Sequence, residues 1–285
     1  MCDDEIHQGL VEDWTLSRRT FVAAGVAAAG MATAARAAAE VTEKNVTIKT
    51  PDGSADAALF HPAGKGPWPA VLVWPDIMGL RPVFRDLGRR LAAQGYVVLV
   101  PNPFYRSKPA PVIDGAFDFG NPESRKILFG YRAAMTDEGV DKDAIAYLAF
   151  LDAQPQTAKR KKAGVQGYCM GGPLSLRTAA AVPGRIGAVG SFHGGGLVTE
   201  APSSPHLLIP KTKAAYLVAV ARNDDAREPQ AKDTLKEAFR AAGRPATVEV
   251  YPADHGWCVP GSQAYDQASA EKAWSALSAL YAKSL

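Results

Sequence analysis

The chain has 285 residues, 47% of them hydrophobic and 21% charged, which suits a folded protein with a sizeable core and excludes a disordered one. Its net charge of +3 is too small and too scattered to be the footprint of a nucleic-acid partner. Three cysteines, Cys2, Cys169 and Cys258, build no disulfide framework, and a chain of this length needs none.

The first segment is set apart by composition. Ser17-Arg18-Arg19-Thr20-Phe21-Val22 precedes a modestly apolar, Ala-rich run from Ala23 to Ala35, and Ala37-Ala38-Ala39 supplies small residues for cleavage before Glu40. A paired arginine before a weak hydrophobic stretch resembles a bacterial twin-arginine export signal. The run is shorter than the ~20 apolar residues that a bilayer-spanning helix needs. Residues 1–39 are therefore expected to be an export signal and residues 40–285 one α/β domain. The mature protein is expected in the periplasm or secreted, with no stable membrane anchor, and only the precursor would meet the export machinery.

From Asn45 to Thr50 and from Ala55 to His61 the residues alternate as two strands around an Asp52-Gly53 turn. Pro69–Trp74 and Tyr96–Val100 are short apolar runs of buried parallel strands, with a helix predicted from about Val83 to Gln94 between them. Proline-rich Pro101–Asn121 reads as a long active-site loop, followed by helical patterns over Glu123–Ala134 and Lys142–Ala153. Lys159-Arg160-Lys161-Lys162 reads as a solvated loop. Further strands are predicted at Ile186–Phe192, Ala214–Val220 and Thr247–Tyr251, with helices near Pro229–Ala242 and Gln263–Ala282. Alternating strands and helices imply a mostly parallel central sheet with helices on both faces. No internal repeat, second domain or phosphate-cradling glycine loop is present.

Val165-Gln-Gly-Tyr-Cys-Met-Gly-Gly172 is the most informative stretch. Cys169 stands in the middle of Gly167-x-Cys169-x-Gly171, with a strand before it and the helix-forming run Leu174–Ala181 after it. Strand, sharp glycine-flanked turn and helix form the nucleophile elbow of α/β hydrolases, here with Cys in the usual place of Ser. A helix N-terminus favours thiolate. A cysteine nucleophile needs a base, and the base needs an orienting carboxylate, in the chain order nucleophile, acid, histidine. Three histidines follow Cys169: His193, His206 and His255. His255, in Tyr251-Pro-Ala-Asp-His-Gly-Trp257, follows a strand and precedes the last helix, where the base belongs. The acid should follow the strand Ala214–Val220, where Ala221-Arg-Asn-Asp-Asp225 offers Asp224, the favoured residue, and Asp225, the alternative. Asp254 reads as a solvated loop residue. His193-Gly-Gly-Gly196 follows the nucleophile and reads as a turn after a strand, with His193 placed near the cleft. No His, Cys or carboxylate group has metal-ligand spacing, and no cofactor is expected.

Gly-Tyr-Cys-Met-Gly-Gly, the Asn-Asp segment and Asp-His-Gly-Trp together look like the dienelactone hydrolase family, the carboxymethylenebutenolidases. The likeness extends through nearly all of the chain after residue 44. It includes Trp74-Pro-Asp-Ile-Met-Gly79 and Val100-Pro-Asn-Pro-Phe-Tyr-Arg106. The resemblance implies an α/β-hydrolase fold and cleavage of a small-molecule ester or lactone through a thioester. It also implies an oxyanion hole from the Ile77 and Met170 backbone N–H groups, each donor worth ~3 kcal/mol in the transition state. Asp76 would be an acid modulating the cysteine, one methylene shorter than the family's usual Glu. Arg106 would hold a substrate carboxylate. The family's second arginine, shortly after the histidine, has no counterpart in Gly256-Trp-Cys-Val-Pro260. Tyr105 and Trp257, with Trp74, are candidate pocket aromatics. Cys258, three residues past His255, is expected to be an inert, half-buried thiol.

Overall fold

The computed structural model describes residues 40–285 apart from 116, 118 and 119. The expected export signal over 1–39 lies outside the described residues.

The elements run β1 (Val41–Thr50), β2 (Gly53–Pro62), β3 (Ala70–Trp74), α1 (Pro82–Ala93), β4 (Val97–Pro101), α2 (Pro122–Ala133), α3 (Asp137–Ala153), β5 (Ala163–Tyr168), α4 (Gly171–Ala181) and β6 (Ile186–Phe192). A 3₁₀ segment, Pro205–Lys211, then precedes β7 (Ala215–Ala221), α5 (Arg222–Arg227), α6 (Ala231–Ala241), β8 (Ala246–Tyr251) and α7 (Gln267–Ser284). The described strands form one sheet in the order β1-β2-β4-β3-β5-β6-β7-β8. The pairs β1–β2 and β2–β4 are antiparallel, and every later pair is parallel. This is the α/β-hydrolase fold.

Strands β3, β4 and β7 are apolar along their whole length because both faces of the sheet are covered there. In β3, Leu72 and Trp74 point into the layer holding Tyr147 and Leu151 of α3, Leu174 of α4 and Phe239 of α6. Val71 and Val73 point the other way, toward Phe84 and Leu91 of α1 and Trp274 and Leu277 of α7. All four β3 side chains are fully buried. Each contributes about 1.5–3 kcal/mol relative to exposure.

Helix boundaries follow capping chemistry that periodicity alone does not reveal. The helix predicted from Lys142 begins five residues earlier, because the Thr136 hydroxyl accepts the Gly139 N–H at 3.0 Å. The last helix begins after Gln263, where Asp266 accepts the Ser269 N–H at 2.7 Å. Short α5 and the 3₁₀ segment carry too few apolar repeats to announce themselves in sequence.

The order of the strands places the site. From β3 the chain crosses outward to β4, and from β5 it crosses the other way to β6, so a crevice opens at the carboxyl ends of β3 and β5. Trp74-Pro-Asp-Ile and the Cys169 turn leave the sheet at that crevice, while β7 and β8 deliver the Asp224 and His255 loops beside it.

Candidate active site

Cys169 and Met170 are the two residues between β5 and α4, and the Cys169 φ of +52° lies in the left-handed region. A non-glycine residue there carries about 1–3 kcal/mol of strain, which the surroundings must hold. The Cys169 N–H donates to the Phe192 carbonyl at the end of β6, and the Gly172 N–H donates back to the Cys169 carbonyl, both at 3.0 Å.

The glycines are a consequence of close approach. A Cβ on Gly167 would lie 1.8 Å from the Gly171 carbonyl oxygen. One on Gly171 would lie 2.3 Å from the Trp74 carbonyl oxygen and 2.8 Å from that of Pro75. One on Gly172 would meet Ser191 Oγ and Gly194 Cα. Because the Trp74 and Pro75 obstacles are backbone, Gly171→Ala has no rotamer to escape into. We expect a loss of about 1–3 kcal/mol or more, read as a clearly lowered Tm. An unchanged Tm would mean that the elbow does not press on the end of β3.

That contact also sets Met170 beside the loop carrying Ile77. Neither the Ile77 nor the Met170 N–H donates to a backbone carbonyl among the described residues. Two unspent donors beside an elbow cysteine are suited to a developing oxyanion.

His255 lies on the loop after β8, and its Nδ1 meets Asp224 Oδ2 at 2.6 Å. The loop is tied to α5 at two further points. The His255 N–H donates to Asn223 Oδ1 at 2.8 Å, and the Arg222 N–H donates to the Ala253 carbonyl at 2.9 Å. With Nδ1 on Asp224, Nε2 is left for Cys169, with which the ring is hydrogen-bonded. Burial disfavours the imidazolium. The bonds to Asp224 and to Cys169 outweigh it and raise the His255 pKa from 6.5 to about 10. Because the folded value lies above the free one, this contact adds stability that is complete below about 6.5 and is lost as pH rises through about 10.

Asp225 points elsewhere, with Oδ1 2.7 Å from Lys232 Nζ. Asp254 pairs with Arg222 at 3.0 Å on the surface. His193 ends β6 with φ +38° and is 1% exposed. Its ring stands edge-on to that of His255, centroids 4.8 Å apart. Neither His193 ring nitrogen has a hydrogen-bond partner among the described residues. Burial, then the charge of His255, pushes its pKa well below the usual imidazole value, so it stays neutral. Asn223 is the neighbour that sequence reading missed as a part of the site, whereas His193, expected near the cleft, lies against the His255 ring. The Asn-Asp pair was the signal for Asn223, and the polar residue closing an apolar strand was the signal for His193.

Other expected site residues have different surroundings. The Asp76 carboxylate is held by both terminal nitrogens of Arg81, at 2.6 and 2.8 Å, and among the described residues it makes no hydrogen bond with Cys169. The shorter side chain is spent within its own loop. Arg106 is committed to the fully buried Asp143 of α3 through two nitrogens, at 2.7 and 2.9 Å, and to Asp52 at 2.7 Å. Tyr105 stacks under that guanidinium, 4.5 Å from its carbon, and donates its hydroxyl to Asp143 at 2.8 Å. Together they fasten the β1–β2 turn to α3. Trp257 is fully buried and stacks on Tyr251, so it is core and lines no open pocket. Trp74 is likewise buried, its indole N–H on Thr178 at 2.9 Å. Cys258 is more deeply buried than expected, at 8% exposure, and burial raises its pKa well above the usual thiol value. Among the described residues no three His, Cys, Asp or Glu side chains gather as a metal site, and no helix is long and apolar enough to cross a membrane.

Comparison with known proteins gives consistent results. A protein of Methylorubrum extorquens named putative carboxymethylenebutenolidase is 28% identical over 284 residues, covering 95% of this chain and 94% of its own. One of the same name from Escherichia coli K12 is 29% identical over 218 residues, covering 73% and 74%. Among solved structures, one titled a putative dienelactone hydrolase from Klebsiella pneumoniae superposes with a TM-score of 0.74. It covers 86% of this chain and 99% of its own, and at 24% identity it speaks for the fold. The model of the dienelactone hydrolase family matches residues 55–285, and the chain belongs to that family.

Proposed function

We propose that this family member, a carboxylic ester hydrolase, cleaves its ester or lactone through Cys169 as nucleophile, with His255 as proton shuttle and Asp224 as its orienter. The observation that carries the reading is the chain of contacts from the strained Cys169 turn through His255 to Asp224. The Cys169 thiolate attacks the carbonyl carbon, and the oxyanion is held by the Ile77 and Met170 N–H groups. Collapse expels the alkoxide, which takes the proton of His255 and leaves a thioester. Neutral His255 then removes a proton from water, the hydroxide attacks the thioester, and the second collapse releases the acid and restores the thiolate–imidazolium pair. A thiolate suits esters better than amides, because it leaves so readily that an amide adduct reverts to substrate.

The commitment of Arg106 to two aspartates favours an ester or lactone without a free carboxylate. Aryl esters and lactones, with and without a carboxylate, should be assayed before and after treatment with iodoacetamide. Neutral substrates should turn over faster, and alkylation should stop all turnover. Activity that survives complete labelling of Cys169 would remove the covalent mechanism.

The precursor is proposed to be exported through the twin-arginine route and cleaved near Glu40, on the strength of Arg18-Arg19 and the Ala-rich run. Replacing both arginines with lysine should leave the precursor in the cytoplasm. An unchanged periplasmic yield would defeat the proposal.

A further inference from the structure

Asp76 and Arg81 form a closed unit directly before α1. Asp76 Oδ1 accepts both Arg81 Nη1 at 2.6 Å and the Met78 N–H at 2.9 Å, while Oδ2 accepts Arg81 Nη2 at 2.8 Å. The Asp76 carbonyl accepts the Gly79 N–H at 2.9 Å, and Arg81 Nη1 reaches the Gly79 carbonyl at 3.4 Å. Gly79 takes φ +72°, closing the turn. The pair is largely shielded, with side chains 21% and 12% exposed, and the Arg81 carbon lies 5.0 Å over the Phe84 ring.

The bond that matters lies in the peptide between Asp76 and Ile77. A trans peptide is planar, and its C=O and N–H point in opposite directions. With the Asp76 carbonyl turned inward onto Gly79, the Ile77 N–H must point outward, away from the turn. The next peptide is held as well, because the Asp76 carboxylate takes the Met78 N–H. Arg81 keeps that carboxylate in place with a two-pronged grip that a lysine cannot reproduce. The turn sits where Gly171 presses on the Trp74 and Pro75 carbonyls, so its orientation is set relative to the elbow.

We infer that Arg81 is a positioning residue, which through Asp76 locks the 76–79 turn and thereby aims the Ile77 N–H at the oxyanion. Asp76 serves this lock and does not modulate the cysteine. The inference rests on the reading of Ile77 and Cys169 under Proposed function.

The two roles of Asp76 predict different kinetics. Alkylation of Cys169 by iodoacetamide needs the thiolate and no oxyanion hole, whereas ester hydrolysis needs both. Arg81→Met should therefore lower kcat on a neutral aryl ester about tenfold or more, as expected for a misdirected oxyanion donor. KM and the alkylation rate should stay within about twofold. Arg81→Lys, which keeps a charge beside Asp76, should fold even if Arg81→Met does not, and should lower kcat several-fold at an unchanged alkylation rate. An unchanged kcat in Arg81→Lys, or in a folded Arg81→Met, would overturn the inference. An alkylation rate that falls in step with kcat would also overturn it and return Asp76 to a role on the cysteine. Hydrolysis by wild-type enzyme that survives full alkylation would instead remove the underlying reading of the site.

Discussion

Cys169→Ala should abolish ester hydrolysis, by roughly four orders of magnitude or more, the scale on which deleting a covalent nucleophile acts in a preorganised site. The variant should melt within a few degrees of wild type. Alanine meets the same left-handed strain at φ +52°, and only a half-buried sulfur is lost, a change of about 1 kcal/mol. For a domain of this size that corresponds to about 2–4 °C. Labelling provides an independent check. Cys169 is partly accessible, whereas Cys258 is buried with its pKa raised, so iodoacetamide should label Cys169 first and activity should fall in proportion. Cys169→Ser should retain little activity, because a site arranged for thiolate need not activate a hydroxyl of far higher pKa. Wild-type turnover by Cys169→Ala would exclude covalent catalysis by this residue.

The second large effect belongs to the base and its carboxylate. His255→Ala should cost about 10²–10⁴ in turnover without unfolding the protein, because the leaving alkoxide loses its proton donor and the attacking water its base. Asp224→Asn should follow, while Asp225→Asn stays near wild type, because Asp224 meets His255 and Asp225 is spent on Lys232. A reversed ranking would make Asp225 the orienter. The pH profile adds a signed test. His255 holds its proton up to about pH 10, so turnover should fall as pH rises through that value. Asp224→Asn removes one of the contacts that raise the pKa against burial, so the alkaline limb should move to lower pH. A limb that stays in place would separate Asp224 from the titration of the base.

Much of this was legible in the sequence because it is local. Gly167, Gly171 and the helix-forming run after them specify the elbow within a dozen residues, since only that spacing lets a strand turn into a helix around a strained nucleophile. Short apolar runs alternating with amphipathic stretches likewise announced a parallel sheet covered on both faces. What the tertiary structure decided depends on partners far apart in the chain or on rotations of one residue. Asp224 and Asp225 are adjacent, yet on α5 their side chains diverge by about 100°, so only the placement of β8 and Lys232 shows which one meets His255. Arg106 reads as a free cation until α3 brings Asp143 beneath it and the β1–β2 turn brings Asp52 beside it. Trp257 follows the base by two residues but turns inward onto Tyr251, where burying its large apolar surface outweighs lining a cleft. Asp76 matches the position of an acid aimed at the cysteine, and Arg81, five residues on, draws it into the turn instead. Local patterning therefore determined the fold and the elbow that carries the proposed nucleophile. The partner of each charged side chain was settled by long-range packing, because a charge withdrawn from water must be matched by whichever opposite charge the fold brings within reach.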